Sequence, residues 1–461
     1  MLASSQTNPI ISDPSRLWMR GIGLAVLLIT LAGCDILSDE TSPLDEALRE
    51  TLVSVASEQS ASSQGVEYFL LPASTDLSAI PQDPRNPLTP AKIELGKLLF
   101  HEPGLLTDPR RPEGALTGSC ATCHSAEFGF GAGVRQGIGE GGIGVVDRHR
   151  DPRFEDADID VQPLRSPTAM NTAYQEVMLW NGQFGATGPN AGTQAHWTAG
   201  TPIETNALGF HGLETQAIAG LKVHRMTNIE ESVAATNATY RALFAEAFPG
   251  APIDRTTAGL AIAAYERTLL ANNAPFQRWL RGDGRALSAS EKRGGTVFFG
   301  KAQCATCHTG PALSSMTFHT LGMGDFTDDG LLIGDFNDNP AGLGRASFTG
   351  DDSDRFRFKT PQLYNLADMN FYGHGGDFAS VRAVVEYKRR AEPINPLVSR
   401  EELSSQFVPL QLTDREVDDL VAFLETGLRD PSLARYEPTS LPSGNCFPNA
   451  DQGSREERDC E

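Results

Sequence analysis

The sequence predicts a mainly α-helical, loop-rich protein built from two related units in tandem, and three observations carry that prediction. The pentapeptide Cys-x-x-Cys-His occurs twice, as Cys120-Ala121-Thr122-Cys123-His124 and as Cys304-Ala305-Thr306-Cys307-His308. Each copy follows a short run that reads as a helix feeding a loop: Leu95-Gly96-Lys97-Leu98-Leu99-Phe100 before the first, and Lys292-Arg293-Gly294-Gly295-Thr296-Val297-Phe298-Phe299 before the second. Strand signals are few and short, and Gly129 to Gly144 holds eight glycines, a density that no helix tolerates.

From the start of the chain, Arg16 and Arg20 precede the apolar run Gly21 to Leu31, which is too short to span a bilayer and leads into Leu31-Ala32-Gly33-Cys34. This pattern resembles the bacterial lipobox, in which Cys34 is acylated and becomes the new N-terminus, so residues 1–33 read as a lipoprotein signal peptide. A plain secretory signal is the alternative, and both export the chain. Residues 34–80, rich in Ser, Glu, Asp and Ala near their start, read as a flexible tether, with ordered structure expected from near Pro81. The first unit, 81–275, closes with a helix over Thr256 to Leu270, which carries Leu260, Ile262, Ala263, Ala264 and Leu269 and is ended by Pro275 and the Gly282-Asp283-Gly284 turn. The second unit, 276–435, closes with a helix that starts at the capping box Thr413-Asp414-Arg415-Glu416 and sets Val417, Leu420, Val421 and Leu424 on one face. Residues 436–461 form a C-terminal extension.

At 461 residues, 40% hydrophobic and 21% charged, the chain suits a globular protein with two or three cores. A net charge of −21 argues against nucleic acid as a partner and favours a basic protein. The single apolar run excludes a polytopic membrane protein. The two pentapeptides are the c-type haem attachment pattern: the thiols add across the haem vinyl groups while the adjacent His ligates the iron. A thioredoxin-like redox pair wants a βαβ context that neither segment has, and zinc would need all four thiols together. Of the seven cysteines, Cys34 then takes lipid, Cys120, Cys123, Cys304 and Cys307 take haem, and Cys446 and Cys460 remain for a disulfide stapling the extension, two free thiols being the alternative. The fold class is therefore mainly α and loop-rich, with two cytochrome c-like haem domains in tandem.

The chain resembles the bacterial dihaem cytochrome c peroxidase and MauG superfamily. The resemblance rests on Gly118-Ser119-Cys120…His124, Arg165-Ser166-Pro167-Thr168, Leu179-Trp180-Asn181-Gly182, Leu213-Glu214-Thr215-Gln216-Ala217, Ala264-Tyr265-Glu266-Arg267, Phe358-Lys359-Thr360-Pro361 and Gly373-His374-Gly375-Gly376, which run in family order from about residue 88 to 428. It implies a peroxide-reactive N-terminal haem held by His124 and an electron-transfer C-terminal haem held by His308. Trp180 occupies the interdomain tryptophan position, where an indole relays charge; a core aromatic is the alternative. Gln216 matches the pocket glutamine. The family's pocket glutamate, just before a Met, is missing, and Lys222-Val223-His224-Arg225-Met226 fills the stretch, offering His224 as proton shuttle and Arg225 as charge stabiliser, or two surface residues in a realigned loop.

Many members cap the reactive iron with a loop His sixteen residues after the proximal His, a position held here by Glu140. Carboxylate is a poor ligand for haem iron, so an active haem open without reductive activation is expected, unless His149 or His196 reaches in. The sixth ligand of the C-terminal haem is Met in peroxidases and Tyr in MauG-type enzymes; Tyr387 is the residue expected here, with Lys388 and Met369 behind it. The family also holds calcium between its domains through an Asn, where this chain has Arg165. The resemblance implies peroxide reduction with electrons from a small cytochrome c or cupredoxin, in a periplasmic protein with a lipid on Cys34. The alternatives are MauG-like oxidation of a partner protein and a non-catalytic dihaem carrier.

Overall fold

In the computed structural model, residues 42–60, 65–327, 332–334, 336 and 339–460 are described. The export signal and the lipid site at Cys34 lie outside them. Helix α1 spans Pro43–Gln59, α2 Pro90–Phe100, α3 Gly212–Val223, α4 Arg255–Glu266, α5 Ala289–Phe299, α6 Val381–Arg390 and α7 Asp414–Ala422. Local sequence accounts for where they start. Thr89 caps α2 ahead of a Pro in its first turn, and reciprocal capping boxes open α4 at Asp254 and Thr257, α5 at Ser288 and Glu291, and α7 at Thr413 and Glu416. Among the described residues, strands are confined to two antiparallel pairs of two residues each, β1 (Gly142–Ile143) with β2 (His149–Arg150) and β3 (Phe318–His319) with β4 (Phe358–Lys359). The mainly helical, loop-rich class stands.

The same helix crossing is built twice. A Cβ added to Gly96 of α2 would lie 1.9 Å from the Ala261 carbonyl oxygen of α4, and one added to Gly294 of α5 would lie 1.9 Å from the Asp419 carbonyl oxygen of α7. Only glycine lets two backbones approach this closely. Helix α3 packs on α4 through another such contact, Gly259 against Ile218.

The tether expected over 34–80 is corrected for its described part. Helix α1 buries Leu48, Leu52, Val55 and Ala56, a spacing of three and four that marks one helical face within otherwise polar sequence. Its Asp45 carboxylate accepts from Trp279 Nε1 and pairs with the buried Lys292 ammonium at 2.8 Å. The turn Gly65–Phe69 then sets Phe69 against Phe299, ring centroids 5.0 Å apart. Ordered structure thus begins well before Pro81. Pro275, expected to end a helix, opens a short one over Pro275–Leu280.

The C-terminal extension is stapled by the Cys446–Cys460 disulfide. It packs on the segment around the first pentapeptide: Ser119 Oγ donates to the Pro448 carbonyl at 2.6 Å, and the Gly144 amide donates to Asp451 at 2.9 Å. Buried Arg148 pairs with Asp451 at 3.3 Å and donates to the carbonyls of Thr117, Ile138, Gly139 and Gly144, so one guanidinium holds the shape of the glycine-rich loop.

Replacing Gly294 by Ala lowers the unfolding free energy by about 1–3 kcal/mol through overpacking. Gly284→Ala, whose Cβ meets no atom within 4 Å, leaves it near the wild-type value. Chemical denaturation followed by circular dichroism makes the comparison.

Candidate functional site

Two cavities face the two pentapeptides. The first, of about 200 Å³, is lined by Cys120, Cys123 and His124 together with Gln216, His224 and Glu266. Cys120–Cys123 form a single helical turn capped by Ser119, so the two thiols share one side and the His follows them directly. His124 Nδ1 donates to the Phe130 carbonyl at 3.1 Å, which fixes the tautomer and leaves Nε2 free. The second cavity, of about 280 Å³, is lined by Cys304, Cys307 and His308. There His308 Nδ1 faces the carbonyls of Leu313 at 3.2 Å and Pro361 at 3.0 Å. Burial holds both imidazoles down to about 4, so both stay neutral and able to ligate a metal.

The four cysteines form no disulfides. Burial pushes the Cys123 and Cys304 thiols up to about 12, the environment of a neutral thioether rather than of a metal-bound thiolate. Among the described residues, no three His, Cys, Asp or Glu side chains converge as a metal-binding cluster. Paired thiols beside an imidazole with one locked nitrogen, opening on a cavity, fit a covalently attached haem at each pentapeptide.

Trp180 lines both cavities. Its Nε1 donates to the Arg165 carbonyl at 2.7 Å, and its own carbonyl accepts from the Lys359 amide at 2.8 Å. The buried Arg165 guanidinium lies 5.7 Å from the indole and donates to the Gly373 carbonyl at 2.9 Å. Burial lowers its pKa to about 10, so a cation occupies the place of the family's calcium-binding Asn.

The first cavity is short of one expected residue and richer by one, with a further carboxylate behind its wall. Gln216 and His224 line it. Arg225 does not: in a left-handed backbone conformation (φ 62°), it pairs with buried Glu140 and donates to the Asp158 carbonyl at 2.6 Å. The role of charge stabiliser drawn for Arg225 is therefore corrected, because Glu140 and the Asp158 carbonyl take up its guanidinium outside the cavity. Glu140 also accepts from the amides of Arg110 and Arg111 at 3.0 and 3.1 Å and stays off the cavity wall. His149 and His196 are absent from that wall as well.

The residues that sequence reading missed are Asp160 and Glu266. Asp160 Oδ2 meets His224 Nδ1 at 2.8 Å. Burial works against the imidazolium but is outweighed by the charge and hydrogen bond of Asp160, which raise the His224 pKa above its ordinary value. Burial, with the Glu214 charge, pushes the Glu266 carboxyl up to about 8, and its Oε2 has no hydrogen-bond partner. Glu266 was visible within the Ala264–Arg267 motif, but nothing local marked it as facing a cavity.

In the second cavity Tyr387 is also corrected. Its hydroxyl donates to the Leu321 carbonyl at 2.5 Å, its ring packs between Phe378 and Phe407, and it does not line the cavity, whereas Lys388 and Met369 do.

The Di-haem cytochrome c peroxidase family profile matches residues 90–285. The methylamine utilization protein MauG of Methylorubrum extorquens is 31% identical over 77% of this chain and 83% of its own. The cytochrome c551 peroxidase of Nitrosomonas europaea is 28% identical over 80% of this chain and 90% of its own. Among solved structures, a MauG-like protein associated with microbial copper homeostasis superposes with a TM-score of 0.53 at 24% identity, covering 79% of this chain and 95% of its own, a likeness of fold.

Converting Cys120 and Cys123 together to Ala removes one covalently bound haem, and converting Cys304 and Cys307 removes the other. Each halves the haem absorbance per chain after denaturation and lowers the intact mass by one haem.

Proposed function

This chain belongs to the dihaem cytochrome c peroxidase and MauG family, and on that premise we propose that it reduces hydrogen peroxide to water with electrons from a small redox protein, a cytochrome c or a cupredoxin. Membership makes it an oxidoreductase acting on peroxide with two c-type haems. The finer reading rests on one observation: the cavity of the first pentapeptide gathers Gln216, the His224–Asp160 pair and Glu266. Bound haem supplies the redox chemistry, and reduction of one peroxide to two waters consumes two electrons and two protons.

The residues divide the proton work. With Nδ1 held by Asp160, His224 presents Nε2, which takes a proton from one peroxide oxygen and returns it to the departing one. Glu266, with its pKa at about 8, holds a proton at neutral pH and is a second donor on the same wall. Gln216 offers an amide to hold the peroxide in place. His124 and His308 serve as proximal ligands through Nε2, and Trp180 carries charge between the two cavities. Because Glu140 is held by Arg225, the reactive site stays open in the oxidised protein. That openness argues against a non-catalytic carrier, which requires both irons capped.

Oxidation of a partner protein is the second reading. The missing pocket glutamate before Met226 favours it, as does the likeness to a protein named MauG. In either case the net charge of −21 selects a partner with a basic face. The signal pattern ending at Cys34 and the Cys446–Cys460 disulfide support a periplasmic protein tethered by lipid.

Steady peroxide consumption by the diferric holoprotein with a reduced small cytochrome c, without prior reduction, is the expected result; consumption at the free-haem background overturns the peroxidase reading. A mass change in a native partner on adding peroxide supports the second reading instead.

The pH profile isolates His224. In Asp160→Asn the influence that raises the imidazole pKa is gone, so the neutral base persists to lower pH and the acid limb of the peroxide rate moves down the pH scale. His224→Ala lowers kcat/KM by about 100-fold or more, the usual worth of general acid–base catalysis.

A further inference from the structure

The second cavity holds a lysine, Lys388, that has no carboxylate partner among the described residues. Helix α6 turns Val381, Val384, Val385 and Lys388 toward it, a spacing of three, four and seven that defines one helical face. Tyr387, one residue earlier, falls off that face and donates to the Leu321 carbonyl. No Asp or Glu lines the cavity, and among the described residues Lys388 makes no ion pair or hydrogen bond. Its nearest aromatic contact is loose, with Nζ 5.8 Å from the Phe407 ring centre. Lys388 is half-buried as the cavity stands, and an ammonium left unpaired there once a haem fills the space is costly. The cost disappears if the nitrogen is neutral and bound.

Of the other donors in the cavity, His319 and His374 are held by hydrogen bonds and two methionines lie close to glycines. His319 has Nδ1 on Ser404 Oγ at 3.1 Å and Nε2 on Thr317 Oγ1 at 2.8 Å. The Met369 methyl group faces Gly129 and Gly131, and Met323 sulfur faces Gly373. Lys388 lies within electrostatic range of the Cys304 and Cys307 thiols and of the His308 ring. Those thiols mark the vinyl edge of a c-type haem. The propionates leave at the opposite edge, so a lysine beside the thiols is poorly placed to neutralise them.

We infer that Lys388 is the sixth ligand of the iron whose proximal ligand is His308. This rests on the reading that a haem fills the second cavity. As the bond forms, the ammonium gives its proton to solvent and the nitrogen lone pair enters the iron coordination sphere; nothing is oxidised or reduced. A nitrogen donor lacks the effect by which a thioether raises haem potential, so this site does not act as a high-potential electron store. It also blocks the second iron to peroxide, leaving the first cavity as the reactive one.

The test uses the full-length diferric holoprotein. Haem content comes first: two haems per chain keep the underlying reading, and one per chain overturns both it and the ligand assignment. With two present, low-temperature electron paramagnetic resonance and near-infrared magnetic circular dichroism are expected to show a low-spin haem with two nitrogen axial ligands. In Lys388→Ala that signal is lost to high spin and returns on adding imidazole, which also reports an intact site. In Lys388→Met it gives way to the charge-transfer band of a thioether ligand, and this variant decides the matter if the Ala protein fails to fold. Tyr387→Phe leaves the signal unchanged. A Lys388→Ala protein that keeps the wild-type low-spin signal with two haems, or a Tyr387→Phe protein that loses it, overturns the assignment.

Discussion

Two backbone contacts without side chains organise the molecule. Where Gly96 meets the Ala261 carbonyl and Gly294 meets the Asp419 carbonyl, the helix leading into each pentapeptide is pressed on the helix that closes its unit, at a separation only glycine permits. The crossing aims the end of the leading helix. In the first unit it delivers Phe100 to the aromatic wall behind the pentapeptide, 6.4 Å from His124, 6.4 Å from Phe130 and 5.2 Å from Tyr265. In the second, Phe298 and Phe299 close on Phe423 at 5.7 and 6.1 Å, and the N-terminal segment adds Phe69 to the same cluster. Each cavity is what remains between that wall and the loops facing it.

Around the first cavity, arginines do work that regular secondary structure does elsewhere. A segment with eight glycines has almost no side chains with which to fix its path, so its carbonyls are gathered by Arg148, and Arg225 takes the Glu140 carboxylate and the Asp158 carbonyl. Glu140 and Arg225, at the positions where the family resemblance implies a capping His and a pocket Glu, are understood together as one ion pair. Either alone would leave a buried unpaired charge, at a cost of about 3–5 kcal/mol; as a pair they neutralise each other. The exchange removes a carboxylate from the pocket and a movable ligand from the loop at one stroke, and the buried Glu266 and the His224–Asp160 pair are the proton-holding groups that remain on the wall.

How much of this could be read beforehand follows from the range of the interactions. The pentapeptides, the capping box at Thr413, the helix over 255–266 and the glycine-rich loop were legible because each is set by residues within a few positions of one another. The N-terminal helix was overlooked because its apolar stripe is thin and its anchor is remote: Asp45 finds Lys292 more than two hundred residues away. Arg225 was misassigned for the same reason, since its partner Glu140 lies 85 residues upstream. Between Tyr387 and Lys388 the difference is a rotation of one residue on a helix. Sequence register against a family pattern cannot resolve that; the structure puts Lys388, and not Tyr387, on the face of Val381 and Val385 that lines the cavity.

The two cavities share a wall at Trp180 and Arg165 yet are chemically unlike. Carboxyl and imidazole groups able to pass protons to a small substrate are set in the first, while among the described residues the second is lined by no carboxylate, by Lys359 and Lys388, and, besides His308, by His319, both of whose nitrogens meet hydroxyls, and by His374, whose Nε2 meets Asp325 at 2.9 Å. Peroxide reduction couples protons to electrons, and on the proposed reading that coupling belongs to the first cavity, where a carboxyl and an imidazole stand together. The shared indole, held by a backbone carbonyl through its N–H and flanked by a fixed cation, is on the same reading the path by which charge crosses while the proton-bearing groups stay on their own side. On the proposed reading, it is the placing of the acid–base residues in one cavity, and of no carboxylate in the lining of the other, that makes one of two otherwise similar attachment sites the place where peroxide is consumed.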